Sequence, residues 1–359
     1  MKRAKFKLTR ESFRYKEETI LEIGGITVTA FRYSTGVRAL RFSNSKGFII
    51  LLPFRGQQVW DAVFNGRRLT MESMYDEPMD VDNFLGTYGC FIMHCGARRM
   101  GCPGPEDDHP LHGELPYAKY NEVFIETGEN EKGIYAGLSG VFHYNQAFQD
   151  KYDARPSVRF YENSGVFDFT IEVENLSNYP MDLMYMAHIN FLPQLGTEIF
   201  QSPDWDQNAM KIRKSIPAHV RVQEGFIDFL EKLEKEPGLT KTIREEDMYD
   251  PEICFTFTDL KTSEDGKARF IQRHKDGSGD YVCYNPALLD RTTRWIMRTK
   301  NQKAFGLALP ATCESEGYSA EKAKGNIKII EPGASVLFEI EVGYLEPEET
   351  ENIIKYINK

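Results

Sequence analysis

The sequence predicts a large antiparallel β-sandwich with a few short helices, and three observations carry that prediction. Aromatic residues make up 13% of the 359 positions, with 24 Phe and 18 Tyr, and flat rings pack well on pleated surfaces. Apolar residues alternate strictly at Phe167, Phe169, Ile171 and Val173, and again at Val336, Phe338, Ile340 and Val342, the period of half-buried strands. Only two stretches carry a helical period. The length alone would permit two domains of ~150 residues, but no internal repeat or low-complexity linker divides the chain, so residues 1–359 are expected to form a single β-sandwich domain.

In chain order, residues 19–33 form two short strands around Gly24-Gly25, a hairpin signal. Strands follow at 37–42 and 47–53, the second apolar enough to be covered on both faces. A further strand lies between the turns at Gly56 and Asn65-Gly66. Residues 121–127 and 133–144 flank a turn at 129–132. Val158 and Phe160 pair across the turn Glu162-Asn163-Ser164-Gly165 with the 167–173 alternation, and 183–191 runs on as a strand that carries His188 near its end. Later strands are expected at 253–259, 267–273, 280–284, 294–298, 304–310 and 335–342. The helices are placed at 224–235, where Phe226, Phe229, Leu230 and Leu233 share a face before Pro237-Gly238, and after Pro347, where acidic residues fill the first turn.

Composition excludes several roles. A formal net charge of −10 argues against nucleic acid, which requires a basic face able to displace counterions. Six cysteines occur without any C-x-x-C pair, so neither a disulfide framework nor a zinc site is indicated. The first residues are charged with no apolar core behind them, unlike a secretory signal, and no apolar run approaches the ~18 residues of a membrane span. A cytoplasmic protein with reduced thiols, no membrane association and a small-molecule ligand is the expectation; the sequence does not reach the oligomeric state.

Residues 85–121 break the pattern. This stretch packs three histidines, three cysteines, Arg98-Arg99 and the acidic run Glu106-Asp107-Asp108 among glycines and prolines. Structureless connections longer than ~12–15 residues are commonly functional, so it is taken as one wall of a site. Gly113 allows a sharp turn after His112, and His188 stands on a strand 76 positions later with Asn190 behind it. Each histidine is either a hydrogen-bonded structural residue or one of a pair that exchanges protons with a substrate near neutral pH.

The strings Cys95-Gly96, Pro105-Glu106-Asp107-Asp108, Leu111-His112-Gly113 and Ala187-His188-Ile189-Asn190-Phe191, with Leu309-Pro310-Ala311-Thr312 late in the chain, together resemble the galactose mutarotase-like superfamily of aldose 1-epimerases, in a divergent branch. The resemblance runs from about residue 20 to 345. It implies a supersandwich that binds a sugar on the concave face of one sheet, with no metal or other cofactor. It also implies that His112 and His188 face the sugar ring, and that a late glutamate takes the anomeric proton while a histidine protonates the ring oxygen.

The position of that glutamate is occupied here by Leu309, which cannot accept a proton. Glu314, five residues on, is the candidate replacement, or else a solvated loop carboxylate. Substrate-binding candidates are Arg98 and Arg99, whose planar donors suit hydroxyls or an anion but equally suit the nearby acids; Asp108 and Asn190; and Asp204 with Trp205, an acid beside an aromatic face. His94, His109 and His112 fit no strong metal-ligand spacing. Two function classes follow: an isomerase of the aldose 1-epimerase type acting on an aldose or hexose derivative, and a non-catalytic sugar-binding or sensing domain that has lost its base. A sugar lyase or keto-sugar isomerase using the same histidines is a third.

Overall fold

Alternation along the strands decides the architecture. The computed structural model describes residues 3–216 and 222–357, and these build two antiparallel sheets. The smaller has nine strands, running from Ala4–Lys7 at one edge through the long hairpins of Glu122–Asn130, Gly133–Asn145, Lys151–Tyr161 and Val166–Asn175, then Ser335–Leu345, to Glu198–Gln201 at the other. The larger has thirteen. Its centre is formed by β1 (Ile92–Ala97) and β2 (Met181–Ile189), and on one side of them lie β3 (Ile253–Phe257), β4 (Arg291–Arg298) and β5 (Lys303–Ala311). The order across this region is β3-β4-β5-β2-β1, continuing into the meander of Val59–Phe64 and the four strands before it.

Rings from both sheets meet between them. Tyr185 stacks on Phe338 with centroids 4.6 Å apart, and His94 stacks on Phe169 at 4.0 Å. On β2, Leu183, Tyr185, Ala187 and Ile189 belong to this inner core, while Met184 and Met186 belong to a second apolar cluster on the opposite face of the same sheet. Successive side chains of a strand point to opposite faces, so His188 is carried onto the outer side with the two methionines.

Most strands lie where the sequence places them, and the galactose mutarotase-like sandwich is the fold observed. Several elements were not expected from the sequence: besides the short strands Ala4–Lys7, Glu198–Gln201, Met210–Ile212 and Lys328–Ile330, there are β1 and a short helix. β1 lies inside the stretch read as a loop: all six of its residues are buried, so both faces are apolar or small and no alternation marks them. A short helix, α2 (Tyr318–Ala323), joins the two anticipated ones, α1 (Phe226–Lys235) and α3 (Pro347–Ile357). With six residues it shows no apolar stripe. It is held instead by the fully buried Glu321, whose carboxylate accepts hydrogen bonds from the Glu314 N–H at 2.8 Å and from Asn326 Nδ2 at 2.7 Å. No helix among the described residues is long and apolar enough to cross a membrane.

A bulge in the β4–β5 pairing between Thr293 and Trp295 leaves the Leu307 carbonyl without its ladder partner. Arg294, fully buried, fills that need with hydrogen bonds from Nε and Nη2, both at 3.2 Å. Its guanidinium lies among the rings of Trp205, Phe257, Phe270 and Phe305, and burial pulls its pKa down to about 9. Arg294→Ala should therefore destabilise the fold by roughly 3–5 kcal/mol, because it opens a cavity and orphans a buried carbonyl. Arg294→Met, which keeps the volume and removes a buried charge, should cost clearly less. Denaturant melts of the two variants check this; equal losses would contradict it.

Candidate functional site

His112 is presented by a tightly bonded loop that docks on the end of β1. Its own N–H donates to Gly101 O at 3.0 Å, and its carbonyl accepts from Gly96 N at 3.0 Å. The backbone at His112 lies in the left-handed region (φ 57°), as does Gly113 (φ 82°). A Cβ at Gly113 would lie 2.2 Å from the Arg99 carbonyl oxygen, so only glycine allows this approach. Next in line, the buried carboxylate of Glu114 accepts from the N–H groups of Ala97 at 3.1 Å and Arg98 at 3.2 Å, which locks the loop to the strand end.

The two imidazoles meet. Their centroids are 5.4 Å apart with the rings almost perpendicular (87°), and both line a cavity of about 420 Å³ on the outer face of the larger sheet. Aromatic rings surround them: Phe84 lies 4.6 Å from His112, and Tyr88 and Trp295 lie 5.6 and 5.5 Å from His188. The volume falls in the range of roughly 300–1,000 Å³ typical of small-molecule sites.

Asn190 stands behind His188, not in the cavity. Its Nδ2 donates to Cys90 O at 3.0 Å, which orients the amide so that Oδ1 faces Tyr88, whose hydroxyl donates at 3.0 Å, and His188 Nδ1 at 2.8 Å. An oxygen already accepting from Tyr88 can only accept from the imidazole as well, so His188 carries its proton on Nδ1 and leaves a lone pair on Nε2. Burial pulls its pKa down to about 4, against opposing contributions from Asn190 and the nearby Glu252 charge. At neutral pH His188 is a neutral proton acceptor.

Glu252 is the residue that sequence reasoning missed. It lines the cavity beside Asp250 and Pro251, immediately before β3. One carboxylate oxygen pairs with Arg213, and the other accepts from Trp295 Nε1 at 2.7 Å. In the sequence it reads as one more acid next to a proline turn, and only its partners, distant along the chain, distinguish it. Leu309 also lies on the cavity wall, fully buried.

The other candidates lie elsewhere. Glu314 is outside the cavity: its carboxylate accepts from Lys324 Nζ at 2.6 Å, and it borders a separate depression with Lys211 and Ser215. Arg98 is bound to Asp150 and to the Tyr144 hydroxyl at 3.0 Å, and Arg99 lies over the Tyr318 ring at 3.5 Å near Asp182; neither lines the cavity. Their partners are thus not the acidic run of the loop. Asp108 is exposed on that loop, and Asp204 pairs with Lys261 on the surface. Trp205 packs against the inner core beside Arg294. With Asn190, seven of the nine candidate positions therefore lie outside the cavity, most of them because other partners satisfy them or the opposite face claims them.

The three loop histidines do not form a metal cluster. His94 is in the inner core with Nδ1 2.8 Å from the Tyr185 hydroxyl, and His109 Nε2 accepts from Tyr318 N at 3.3 Å. Glu314, Glu316 and Glu321 do bring carboxylate oxygens within 4.8 Å of one another, but the Lys324 ammonium bonds all three and already neutralises the place a cation would take.

Comparison with known proteins agrees with this geometry at the level of fold. A family described as a domain of unknown function, DUF4432, matches residues 34–200. No curated protein matches significantly. Among solved structures, the chain is similar to a proposed aldose 1-epimerase from Klebsiella pneumoniae subsp. pneumoniae, with TM-score 0.82 and 16% identity over 99% of this chain and 95% of that one. Galactose mutarotase-like proteins from Lactobacillus casei (TM-score 0.57, 12% identity, 85% and 99% covered) and Clostridium acetobutylicum (0.57, 13%, 89% and 98%) are also similar.

The His188 assignment predicts an NMR titration midpoint near 4 with the proton on Nδ1 throughout neutral pH; a midpoint near the ordinary histidine value would overturn it. His94 is likewise pulled down, to about 3, by burial. Unfolding releases both to their ordinary affinity, so the stability present above about pH 6.5 should fall as the pH drops from there towards 4, by roughly 1.4 kcal/mol per unit for each histidine. Thermal melts between pH 7 and 5 measure this slope.

Proposed function

We propose, for a chain with the galactose mutarotase-like fold, that the cavity binds an aldose or a related hexose derivative and interconverts its anomers by acid–base catalysis. The observation that carries this reading is the convergence of His112 and His188, 76 positions apart, on one enclosed wall with Glu252 beside them. Aromatic rings suit the C–H face of a pyranose, and the imidazoles suit its hemiacetal.

In this reading His188 Nε2 accepts the anomeric hydroxyl proton as the bond between the anomeric carbon and the ring oxygen breaks. His112, beside His188 on the same wall, delivers a proton to the neighbouring ring oxygen. The open aldehyde turns about its first carbon–carbon bond, and the reverse transfers close the ring on the other face, leaving no net change in protons. The base role thus passes from the carboxylate that Leu309 replaces to an imidazole whose tautomer Asn190 fixes. Glu252 supports the imidazolium formed in the first step, since its charge favours protonated His188, and with Arg213 it offers a fixed polar edge to sugar hydroxyls. None of these transfers requires a metal or nucleotide.

Polarimetry on freshly dissolved α-anomers tests the reading. His188→Asn should lose on the order of 10²–10⁴ in rate. Glu252→Gln should lose less and move the acidic limb of the pH–rate profile downward, because it removes a charge that raises the His188 pKa. Glu314→Gln should stay within about threefold of wild type, since Lys324 holds that residue outside the cavity. A collapse in Glu314→Gln alone would return the base role to that residue. Sugar binding without any acceleration would favour the non-catalytic binding domain.

A further inference from the structure

The strand register continues the site beyond the histidines. Met186 lies opposite Ala311, which sets His188 beside Leu309 on the outer face of the sheet. Leu309 is opposite Thr293, Thr293 is opposite Thr256, and Thr256 is opposite Lys211 on the edge strand Met210–Ile212. Directly opposed residues of antiparallel strands share a face, and Leu309 and Thr293 line the cavity. The five residues therefore form one row across the outer surface, with four strand spacings, roughly 19 Å, between its ends.

A groove follows this row. The depression beside Glu314 has a volume of about 350 Å³ and is lined by Thr256 and Lys211. It adjoins the histidine cavity, with which it shares Arg213, Cys254, Thr293 and Ser315. Arg213 borders the row on one side: its N–H donates to Cys254 O at 2.8 Å, and its guanidinium is drawn off the row by Glu252, which lies beyond Cys254 from Thr256. Ser315, past the end of β5, borders the other side, where its carbonyl accepts from Cys102 N at 2.9 Å.

The row changes character along its length. Leu309, next to His188, presents carbon to the C–H face of a ring. Beyond it come the hydroxyls of Thr293 and Thr256 and the ammonium of Lys211, and no described residue bonds any of the three. The carboxylates of Glu314 and Glu316 at the rim are held by Lys324 instead. At the other polar end of the cavity, by contrast, the Thr299 hydroxyl is committed within its own turn to Gln302 O at 3.2 Å. A single pyranose with its anomeric carbon at His188 covers about one to two strand spacings. Its carbon four, the ring atom opposite the anomeric carbon, then lies towards Thr293, and about two spacings of uncommitted hydrogen-bonding surface remain for a ring joined there.

We propose that the ligand is a reducing 1,4-linked disaccharide, or the reducing end of a longer chain, with its hemiacetal ring at His112 and His188 and its second ring on Thr256 and Lys211. This rests on the reading of the cavity as an aldose site and names the class of aldose. The added hydrogen bonds to the second ring favour the disaccharide over its monosaccharide by about 10-fold or more in kcat/KM.

Matched sets provide the test: D-glucose against maltose and cellobiose, D-galactose against 1,4-galactobiose, and D-mannose against 1,4-mannobiose, with the 1,6-linked isomer of each disaccharide as control. Binding by calorimetry and anomer exchange by NMR are measured for each sugar. The expected result is a preference of at least about 10-fold for the 1,4-linked disaccharide over its monosaccharide in the set whose stereochemistry fits. Thr256→Phe, which fills the groove, should bring that ratio to about one. Lys211→Ala, on the exposed edge strand, should lower it about threefold and serves should Thr256→Phe fail to fold; melting curves establish folding. A ratio near one in every set, with monosaccharides exchanged, overturns the inference and leaves the aldose reading intact. A preference that survives both variants, or that the 1,6-linked isomer shares, overturns the placement of the second ring and with it the inference. Preferred disaccharide binding without anomer exchange sinks the catalytic reading alone, and absence of binding by every sugar overturns both.

Discussion

The structure depends on burying both faces of the same few strands. β2, β4 and β5 send one set of side chains into the sandwich and the other into the cavity wall, and β1 beside them buries its outer set in the same apolar cluster, so each residue's role is set by parity. A slip of one residue in β2 would put His188 against Phe169 and Phe338 and would turn Tyr185 outward. The inner contacts of Tyr185 and His94 therefore do more than stabilise the sheet: they hold the register that delivers His188 to its place. A single peptide layer thus separates the core from the candidate site.

That double burial explains how far the sequence could be read. Strands with one apolar and one polar face, such as 167–173, announce themselves by alternation, and the hairpin turns mark their ends. β1 carries no such contrast, since Met93 and Cys95 on one face are as buried as Ile92 and His94 on the other. The histidine pair was legible because the short strings around His112 and His188 resemble a family in which they converge. Glu252 was not, since its significance lies in Arg213 and Trp295, which are distant in sequence. Arg98, Arg99 and Glu314 drew attention as charged residues in a crowded loop or near a missing glutamate, and each has a local partner that sequence spacing does not reveal.

The site's chemistry turns on how few of its polar atoms are uncommitted. Asn190 gathers two donors on one oxygen and thereby settles which nitrogen of His188 faces the cavity. Glu252 is held at both oxygens, and Tyr88 and Trp295 are held at their only polar atoms. An arrangement this constrained keeps its geometry before a ligand arrives, which is the condition under which acid–base groups act without reorganising.

Arg294 adds a consequence of its own. It sits between Thr293 and Trp295 on β4, and since those two face the cavity it points the other way, into the sandwich. A pKa of about 9 keeps it charged at neutral pH, and no acidic side chain among the described residues pairs with it. Bulk ions cannot reach a charge buried in this way. Whatever field this charge sets up across the sheet is therefore one that added salt does little to weaken.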